Sequence, residues 1–393
     1  MKPPFRPFKL KETAAAALLL AALLCSCTGR GRYVAVTGYA QGGTYSVKFN
    51  TAGVRVPRED IAAAIDSILT LVDTTLSGYN KASLLSRFNA GEVIVPNQLF
   101  SDIYGYSYVI WKETGGCVNV AAGPLFDIWG FGFTTDSLPS GDIVLKAMSE
   151  SDMGRLRDRI TPGEPIDAAG LLSGDITSGQ RLATLDPSQL RWALPAYDAE
   201  GGTVAGSDIP GQEGLAPVKL NFNAIAQGYT CDLVADYLKS IGVTDMLVDI
   251  GEIYCAGRNP SGRDWSIGVD RPVDGNDTPG ADLDGIWLSQ GRSCGIVTSG
   301  NYRKFYVRDG RKYAHTVDPR TGYPVDHSLL SATVVAPSAA EADALATYCM
   351  VLGFDEARAF IESRSDLEGY LIRDVDGTMS EWASPGFTLR SAR

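Results

Sequence analysis

Helical and strand-like patterns follow one another without regular alternation in this chain, and that order constrains its fold more than any other feature. A strand-like run at 45–49 precedes an amphipathic helical pattern at 58–75. Further helices are predicted at 101–112, 231–241 and 339–352, and further strands at 246–250, 265–269, 304–308 and 330–336. A parallel doubly wound sheet needs helices and strands in alternation, so this order favours an α+β fold.

One long segment interrupts these patterns. Residues 157–217 are rich in Gly, Pro, Ser and Asp and lack periodicity, which predicts an irregular, solvent-exposed insertion. A second, flexible loop is predicted at 273–284. The 393 residues, 45% of them hydrophobic, can bury a large core, and we expect the motifs on both sides of the insertion, described below, to belong to one site. We therefore expect a single domain over residues 27–393.

The N-terminal segment, residues 1–26, is typical of an export signal. Several cations precede an apolar run at 14–24 that is too short to span a bilayer comfortably. The run ends in Leu-Cys-Ser-Cys, which resembles the bacterial lipobox, whose cysteine is diacylated and becomes the first mature residue. We expect lipidation at Cys27 and anchoring to the bacterial cell membrane on its periplasmic side. The alternative is a plain secretory signal that is cleaved nearby.

Charge and cysteine content limit the possible partners. The formal net charge is −11, and removing residues 1–26 takes away four cations and one anion, so the mature chain is more acidic still. Such a protein is a poor nucleic-acid binder. The cysteines after Cys27 are odd in number and contain no CxxC pair, so they cannot all form intramolecular disulfides. We interpret most of them as buried, small apolar residues, namely Cys117, Cys231, Cys255, Cys294 and Cys349.

The sequence EADALAT at 341–347 gives the first chemical signal. Asp343 and Thr347 are four residues apart on a predicted helix, so their side-chain oxygens lie on the same face. Two hard oxygen donors without a nearby His or Cys suit Mg²⁺ better than zinc or copper. The alternative is an ordinary surface Asp and a Thr that bonds back to its own helix.

Seven segments resemble the motifs of one family and occur in the same order along the chain. They are QGGTYSVKF from Gln41, LSGYNKASLLSRFN from Leu76, NVAAGPLFDIWGFG from Asn119, NFNAIAQGYTCD from Asn221, TSGNYRKF from Thr298, YAHTVDPRTGYPV from Tyr313 and ADALAT from Ala342. This set resembles the ApbE family, the FAD:protein FMN transferases. The resemblance extends over residues 39–379, apart from the insertion.

The resemblance implies an exported enzyme that depends on Mg²⁺ and has one ApbE-like domain, with mixed or antiparallel sheets flanked by helices. Its substrate is FAD, whose pyrophosphate it splits. FMN passes to a Thr or Ser hydroxyl of a target protein through a phosphoester, and AMP leaves. The implied acceptors are exported flavoprotein subunits of Rnf-type or Na⁺-pumping NADH:quinone reductase complexes. Phosphoryl transfer needs charge neutralisation and in-line positioning, which the motif residues must supply.

The matching motif positions assign roles to single residues. Asp343, Thr347 and the backbone carbonyl of Ala224 become the metal ligands, and His315 becomes the general base. The alternative for His315 is a hydrogen bond that fixes its turn. The implied flavin-nucleotide contacts are Gly42, Tyr79, Cys117, Val118, Asn119, Asn221, Gln227, Ser299 and Arg303.

Four of these positions depart from the family pattern. Asn119 and Asn221 stand where the family commonly has Asp, and Gln227 stands where it commonly has Lys. Each change keeps hydrogen-bonding ability but removes a charge, so we expect a less ionic pocket with an altered FAD affinity. Gly42 replaces a usual Met and removes an apolar contact.

Two other functions stay open at this point. One is an FAD pyrophosphatase, in which water replaces the protein hydroxyl and the products are FMN and AMP. The other is a non-catalytic, FAD-binding lipoprotein. Release of AMP in the presence of Mg²⁺ separates the enzymes from the binding protein.

Overall fold

A computed structural model describes residues 33–130, 138–153, 218–276, 278–302, 305–308 and 311–392. The predicted signal segment with Cys27, the insertion at 157–217, and Arg303 lie outside these residues. The helices are α1 (Arg58–Leu76), α2 (Leu84–Asn89), α3 (Gln98–Glu113), α4 (Gly123–Ile128), α5 (Gly141–Glu150), α6 (Ala226–Ser240), α7 (Ala339–Leu352) and α8 (Phe354–Ser363). None of the helices in the described part of the chain is long and apolar enough to cross a membrane.

The strands form one large sheet and three small ones. They are β1 (Tyr33–Ala40), β2 (Gly43–Asn50), β3 (Met246–Asp249), β4 (Ile253–Ala256), β5 (Ser266–Asp270), β6 (Leu283–Leu288), β7 (Cys294–Gly300), β8 (Phe305–Arg308), β9 (Arg311–Ala314), β10 (Val317–Asp318), β11 (Tyr323–Pro324), β12 (Leu329–Ala336), β13 (Glu368–Val375), β14 (Thr378–Ala383) and β15 (Leu389–Ser391). The large sheet has eight strands in the order β1-β2-β3-β4-β7-β12-β13-β14. Every neighbouring pair in it is antiparallel.

Helices cover one face of the large sheet. Alternate residues of β2, such as Val47 and Phe49, are fully buried against α1, α3 and α6. Farther along the sheet, β7, β12 and β13 bury their inner residues against α7 and α8. α6 and α7 therefore lie side by side across the middle of the sheet, where the candidate site is built.

A smaller sheet covers part of the opposite face. Its three strands run in the order β15-β6-β5. Trp287 on β6 is fully buried there, and Val335 on β12 faces the same core. Its neighbour Val334 faces the helices, so β12 is buried on both sides. This explains why 330–336 is a continuous apolar run rather than an alternating one.

The α+β prediction is confirmed, and most predicted elements are present. Two expectations need correction. The sequence predicts 45–49 as the first strand, but β1 precedes it; β1 is an edge strand in which half of the residues are exposed, none is buried, and burial gives no clear alternation. The loop predicted at 273–284 ends earlier, since β6 begins at Leu283 and pairs with β5. All the cysteines in the described part are buried free thiols, as predicted.

Candidate active site

The first turns of α6 and α7 meet, and this contact joins two of the predicted metal-site segments. The backbone amide of Gly228 on α6 donates to Asp343 Oδ2 on α7 over 3.0 Å. A Cβ at position 228 would clash with the Ala339 carbonyl and would lie 2.8 Å from Asp343 Cβ, so this approach requires glycine. Asp343 is only 4% exposed, and Thr347 follows one turn later on the same helix.

A second carboxylate, Asp232, lies in the same contact and was not identified from the sequence. Its Oδ1 accepts from the Ala339 amide and its Oδ2 from the Ala340 amide, both over 2.8 Å. These amides belong to the first turn of α7, where helix geometry leaves N–H groups without intrahelical partners. Asp232 closes the motif NFNAIAQGYTCD, but nothing in its spacing connects it with residues more than 100 positions later.

Burial dominates the electrostatics of this contact. Burial, with a smaller contribution from the nearby charge of Asp232, raises the pKa of Asp343 to about 7 in spite of the lowering effect of the Gly228 amide. Burial also raises the pKa of Asp232 to about 7, against the lowering effect of the Ala340 and Ala339 amides. A buried carboxyl of this kind ionises fully at neutral pH when a cation binds beside it.

The donor types at this contact fit Mg²⁺. No cluster of three or more His, Cys, Asp or Glu side chains suited to a metal occurs in the described ranges. Asp343 has one oxygen bonded to Gly228, and the half-buried Thr347 lies on the same helix. Ala224 lies in the turn that leads into α6. One carboxylate, one hydroxyl and one carbonyl suit a magnesium ion that retains several waters.

The β1–β2 turn reaches the same end of α6. Gln41 and Gly42 both have positive φ angles, +51° and +83°, as a tight hairpin turn requires. The Gln41 side chain donates to the hydroxyl of Thr230 on α6. Gln227 packs against Gly251, the turn after β3, and donates to the Ile250 carbonyl over 3.4 Å. Of the predicted flavin contacts, Gln227 therefore lies on α6, and Gly42 lies on a turn that contacts α6.

The two asparagines that replace aspartates make backbone contacts. Asn119 Oδ1 accepts from the Ala121 amide over 2.9 Å, and its Nδ2 donates to the Ser151 carbonyl over 2.7 Å. Asn221 Oδ1 accepts from the Asn223 amide over 2.9 Å. The Asn221 amide also donates to the Val120 carbonyl, so the two motifs lie side by side. An ionised Asp at position 119 has no donor for the Ser151 carbonyl, so the amide fits this position.

The predicted base, His315, is half-buried in the short connection between β9 and β10, just before the tight loop that joins β10 to β11. Next to it, the Thr316 hydroxyl donates to Asn301 Oδ1 over 2.6 Å, which brings the segment after β7 close. Farther along, the Gly322 carbonyl accepts from Trp129 Nε1 over 2.7 Å. The loop is thus fixed to Trp129 and to the residue that follows β7.

The remaining predicted contacts differ in exposure. Tyr79 is 72% exposed in the connection between α1 and α2, so it is not a core tyrosine. Cys117 and Val118 have buried side chains, and burial raises the pKa of the Cys117 thiol to about 11. Neither residue presents its side chain to solvent. Ser299 is half-buried on β7 opposite Ala332.

Residues 41–371 match the ApbE family. The chain is 30% identical over 334 residues to the FAD:protein FMN transferase of Escherichia coli strain K12, covering 84% of this chain and 81% of that protein. It is 28% identical over 377 residues to the FAD:protein FMN transferase of Haemophilus influenzae, covering 94% and 95%. The fold resembles the apo form of the flavinyl transferase ApbE from Pseudomonas stutzeri, with a TM-score of 0.67, 26% identity, and coverage of 90% of this chain and 95% of that one.

Proposed function

Since this chain belongs to the ApbE family and is an FAD:protein FMN transferase, we propose that it uses Mg²⁺ to transfer FMN to a Thr or Ser hydroxyl and releases AMP. The observation that carries this proposal is the buried contact between α6 and α7. There Asp343 contacts the first turn of α6, Thr347 follows one turn later on α7, and Ala224 lies in the turn that precedes α6.

The proposed reaction forms one phosphoester and breaks one phosphoanhydride. The acceptor hydroxyl oxygen attacks the FMN phosphorus of FAD, and the bridging oxygen leaves with AMP. His315 takes the proton of the hydroxyl, because an imidazole titrates near neutral pH. Asp343, Thr347 and the Ala224 carbonyl would hold Mg²⁺, which neutralises charge on the pyrophosphate when bound.

The other proposed contacts bind and orient FAD. Tyr79 offers an exposed aromatic face for stacking. The backbone near Asn119 and Asn221 is held in fixed turns by amide side chains, and a fixed backbone costs little further ordering when a ligand binds. Because these side chains and Gln227 are uncharged, we propose that FAD binding depends weakly on salt.

We also propose where the protein works. An export signal and a lipid on Cys27 would hold it at the periplasmic side of the bacterial cell membrane. Its acceptors would be exported flavoprotein subunits of Rnf-type or Na⁺-pumping NADH:quinone reductase complexes. A lipid-anchored enzyme meets membrane-bound acceptors in two dimensions, which raises their effective concentration.

The test is to incubate the purified protein with FAD, Mg²⁺ and a candidate acceptor, and to measure AMP release together with the intact mass of the acceptor. We expect the acceptor to gain the mass of FMN and to accelerate AMP release. An acceptor with Val in place of the target Thr is the matched control and should gain no mass. Rapid AMP release that ignores the acceptor and adds no FMN would instead favour the pyrophosphatase. FAD binding without AMP release would favour a binding protein.

A further inference from the structure

We propose that Asp232 is a positioning residue that fixes α6 and α7, the helices that carry or adjoin the proposed metal ligands, relative to each other. This inference rests on the proposed Mg²⁺ site and assigns Asp232 no direct contact with the metal. Its basis is that one carboxylate on each of the two helices accepts hydrogen bonds from backbone amides of the other helix.

Each helix supplies a carboxylate to the first turn of the other. Asp232 on α6 accepts from the amides of Ala339 and Ala340 on α7, both over 2.8 Å. Asp343 on α7 accepts from the amide of Gly228 on α6 over 3.0 Å. A carboxylate at a helix N-terminus also interacts favourably with the helix dipole. The two contacts together restrain both sliding and separation of the helices at this end.

The contact at Asp232 does more than cap α7. That helix already has a local cap, because the Ser338 hydroxyl accepts from the Glu341 amide over 3.1 Å. Asp232, on another helix, accepts two further hydrogen bonds from amides that do not donate to Ser338. Isolated capping needs only a local side chain, whereas a carboxylate from α6 ties the position of α7 to that of α6.

The saturation of Asp232 separates its role from that of Asp343. Both oxygens of Asp232 are occupied by backbone amides. The bond from Gly228 uses Oδ2 of Asp343 and leaves Oδ1 for a metal. Ala224 precedes α6 by two residues, and Asp343 and Thr347 lie on α7. The spacing between the proposed carbonyl ligand and the two side-chain ligands therefore depends on how α6 and α7 are tied together.

The test compares Asp232→Asn with Asp236→Asn. Asparagine keeps the shape of Asp232 but offers one acceptor oxygen instead of two, and its NH₂ group opposes one of the α7 amides. Asp236 lies one turn farther along α6 and pairs over 3.0 Å with Lys239 on the same helix, so its variant makes the same chemical change without removing a bond to α7 and is the matched control. Mn²⁺ serves as the probe, because the free ion is counted directly by electron paramagnetic resonance.

We expect Asp232→Asn to weaken Mn²⁺ binding by roughly 10–100-fold, the range found when residues that orient metal ligands are changed. The Mg²⁺ concentration needed for half-maximal transfer should rise similarly, while saturating Mg²⁺ restores most of kcat and the KM for FAD changes little. A purely structural role would lower the melting temperature without this shift in metal affinity. Asp236→Asn should behave like the wild type.

Two outcomes would overturn the inference, and they are distinguishable. If the wild type binds Mn²⁺ and Asp232→Asn binds it equally well, Asp232 does not position the site, although the proposed function stands. If the wild type binds no Mn²⁺ and transfers FMN without a divalent metal, the proposed metal site fails and the inference fails with it. Circular dichroism melting of each variant shows whether it is folded under the binding conditions.

Discussion

Replacing Gly228 with Ala tests the close contact between α6 and α7. In an exposed helix interior this change stabilises a protein by about 1 kcal/mol, because Ala has the higher helix propensity. Here the added Cβ would clash with the backbone carbonyl of Ala339 and lie 2.8 Å from Asp343 Cβ. A backbone atom cannot rotate away as a flexible side chain does, so the two helices must separate.

The expected net effect is therefore destabilisation. Overpacking of a buried contact costs roughly 1–3 kcal/mol, and we place this position at the upper end because the clash involves backbone. Weakening the Gly228–Asp343 hydrogen bond adds about 1 kcal/mol. After subtracting the gain in propensity, we expect a loss of about 3 kcal/mol, which lowers the melting temperature of a chain of this length by roughly 4 °C.

The assay is thermal and urea unfolding of Gly228→Ala beside Gly78→Ala. Gly78 has an ordinary backbone conformation and nothing within 4 Å of its added Cβ. The control should therefore be unchanged or more stable by about 0.4–1 kcal/mol. If Gly228→Ala is as stable as the wild type, the helices are not in the contact described, and the geometry of the proposed metal site loses its support.

Four further expectations concern the proposed metal site, the proposed base and the proposed lipid anchor. Asp343→Ala should abolish transfer and Thr347→Ala should raise the Mg²⁺ requirement, measured as AMP release against Mg²⁺ concentration; full activity of Asp343→Ala at low Mg²⁺ would refute the site. His315→Asn should lower transfer by roughly 10²–10⁴-fold with little change in FAD binding, and an unchanged rate would exclude a base. Because the pKa of Asp343 is raised to about 7, Mg²⁺ affinity should fall as pH drops below 7. Without metal, the folded state holds the Asp343 proton more tightly than the unfolded state, so the free energy of unfolding should fall as pH rises from about 4 to about 7. Asp343→Asn should flatten that slope in unfolding experiments. Cys27→Ala should move the protein from the membrane to the soluble periplasmic fraction, whereas continued membrane binding of a processed mutant would contradict lipidation.

Local patterns were sufficient for much of the secondary structure. The alternation in β2 predicts its buried face at Val47 and Phe49, and the apolar run at 330–336 predicts β12. The exposed edge strand β1 could not be found in this way, because an edge strand with little burial has no strict pattern. Helix starts were also displaced: α6 begins at Ala226, five residues before the predicted start at 231.

The residues of the candidate site likewise include some that the sequence predicted and one that it missed. Motif order identified the family and proposed Asp343, Thr347 and His315 as functional residues, because those chemical types recur at fixed spacing within short segments. It missed Asp232, whose partners Ala339 and Ala340 are more than 100 residues away and offer only backbone amides. Backbone donors carry no sequence signal, so no pattern of side chains could have shown this contact.

The amino-acid sequence by itself determined the family, the α+β class and the residue types available for oxygen coordination and proton transfer. Only the tertiary structure decided that Gly228 must lack a side chain and that Asp232 and Asp343 each accept hydrogen bonds from backbone amides of the other helix. It also decided that burial raises the pKa of both carboxyl groups. These properties depend on distances between distant segments and on the exclusion of water, and both arise only when α6 and α7 pack together on the sheet.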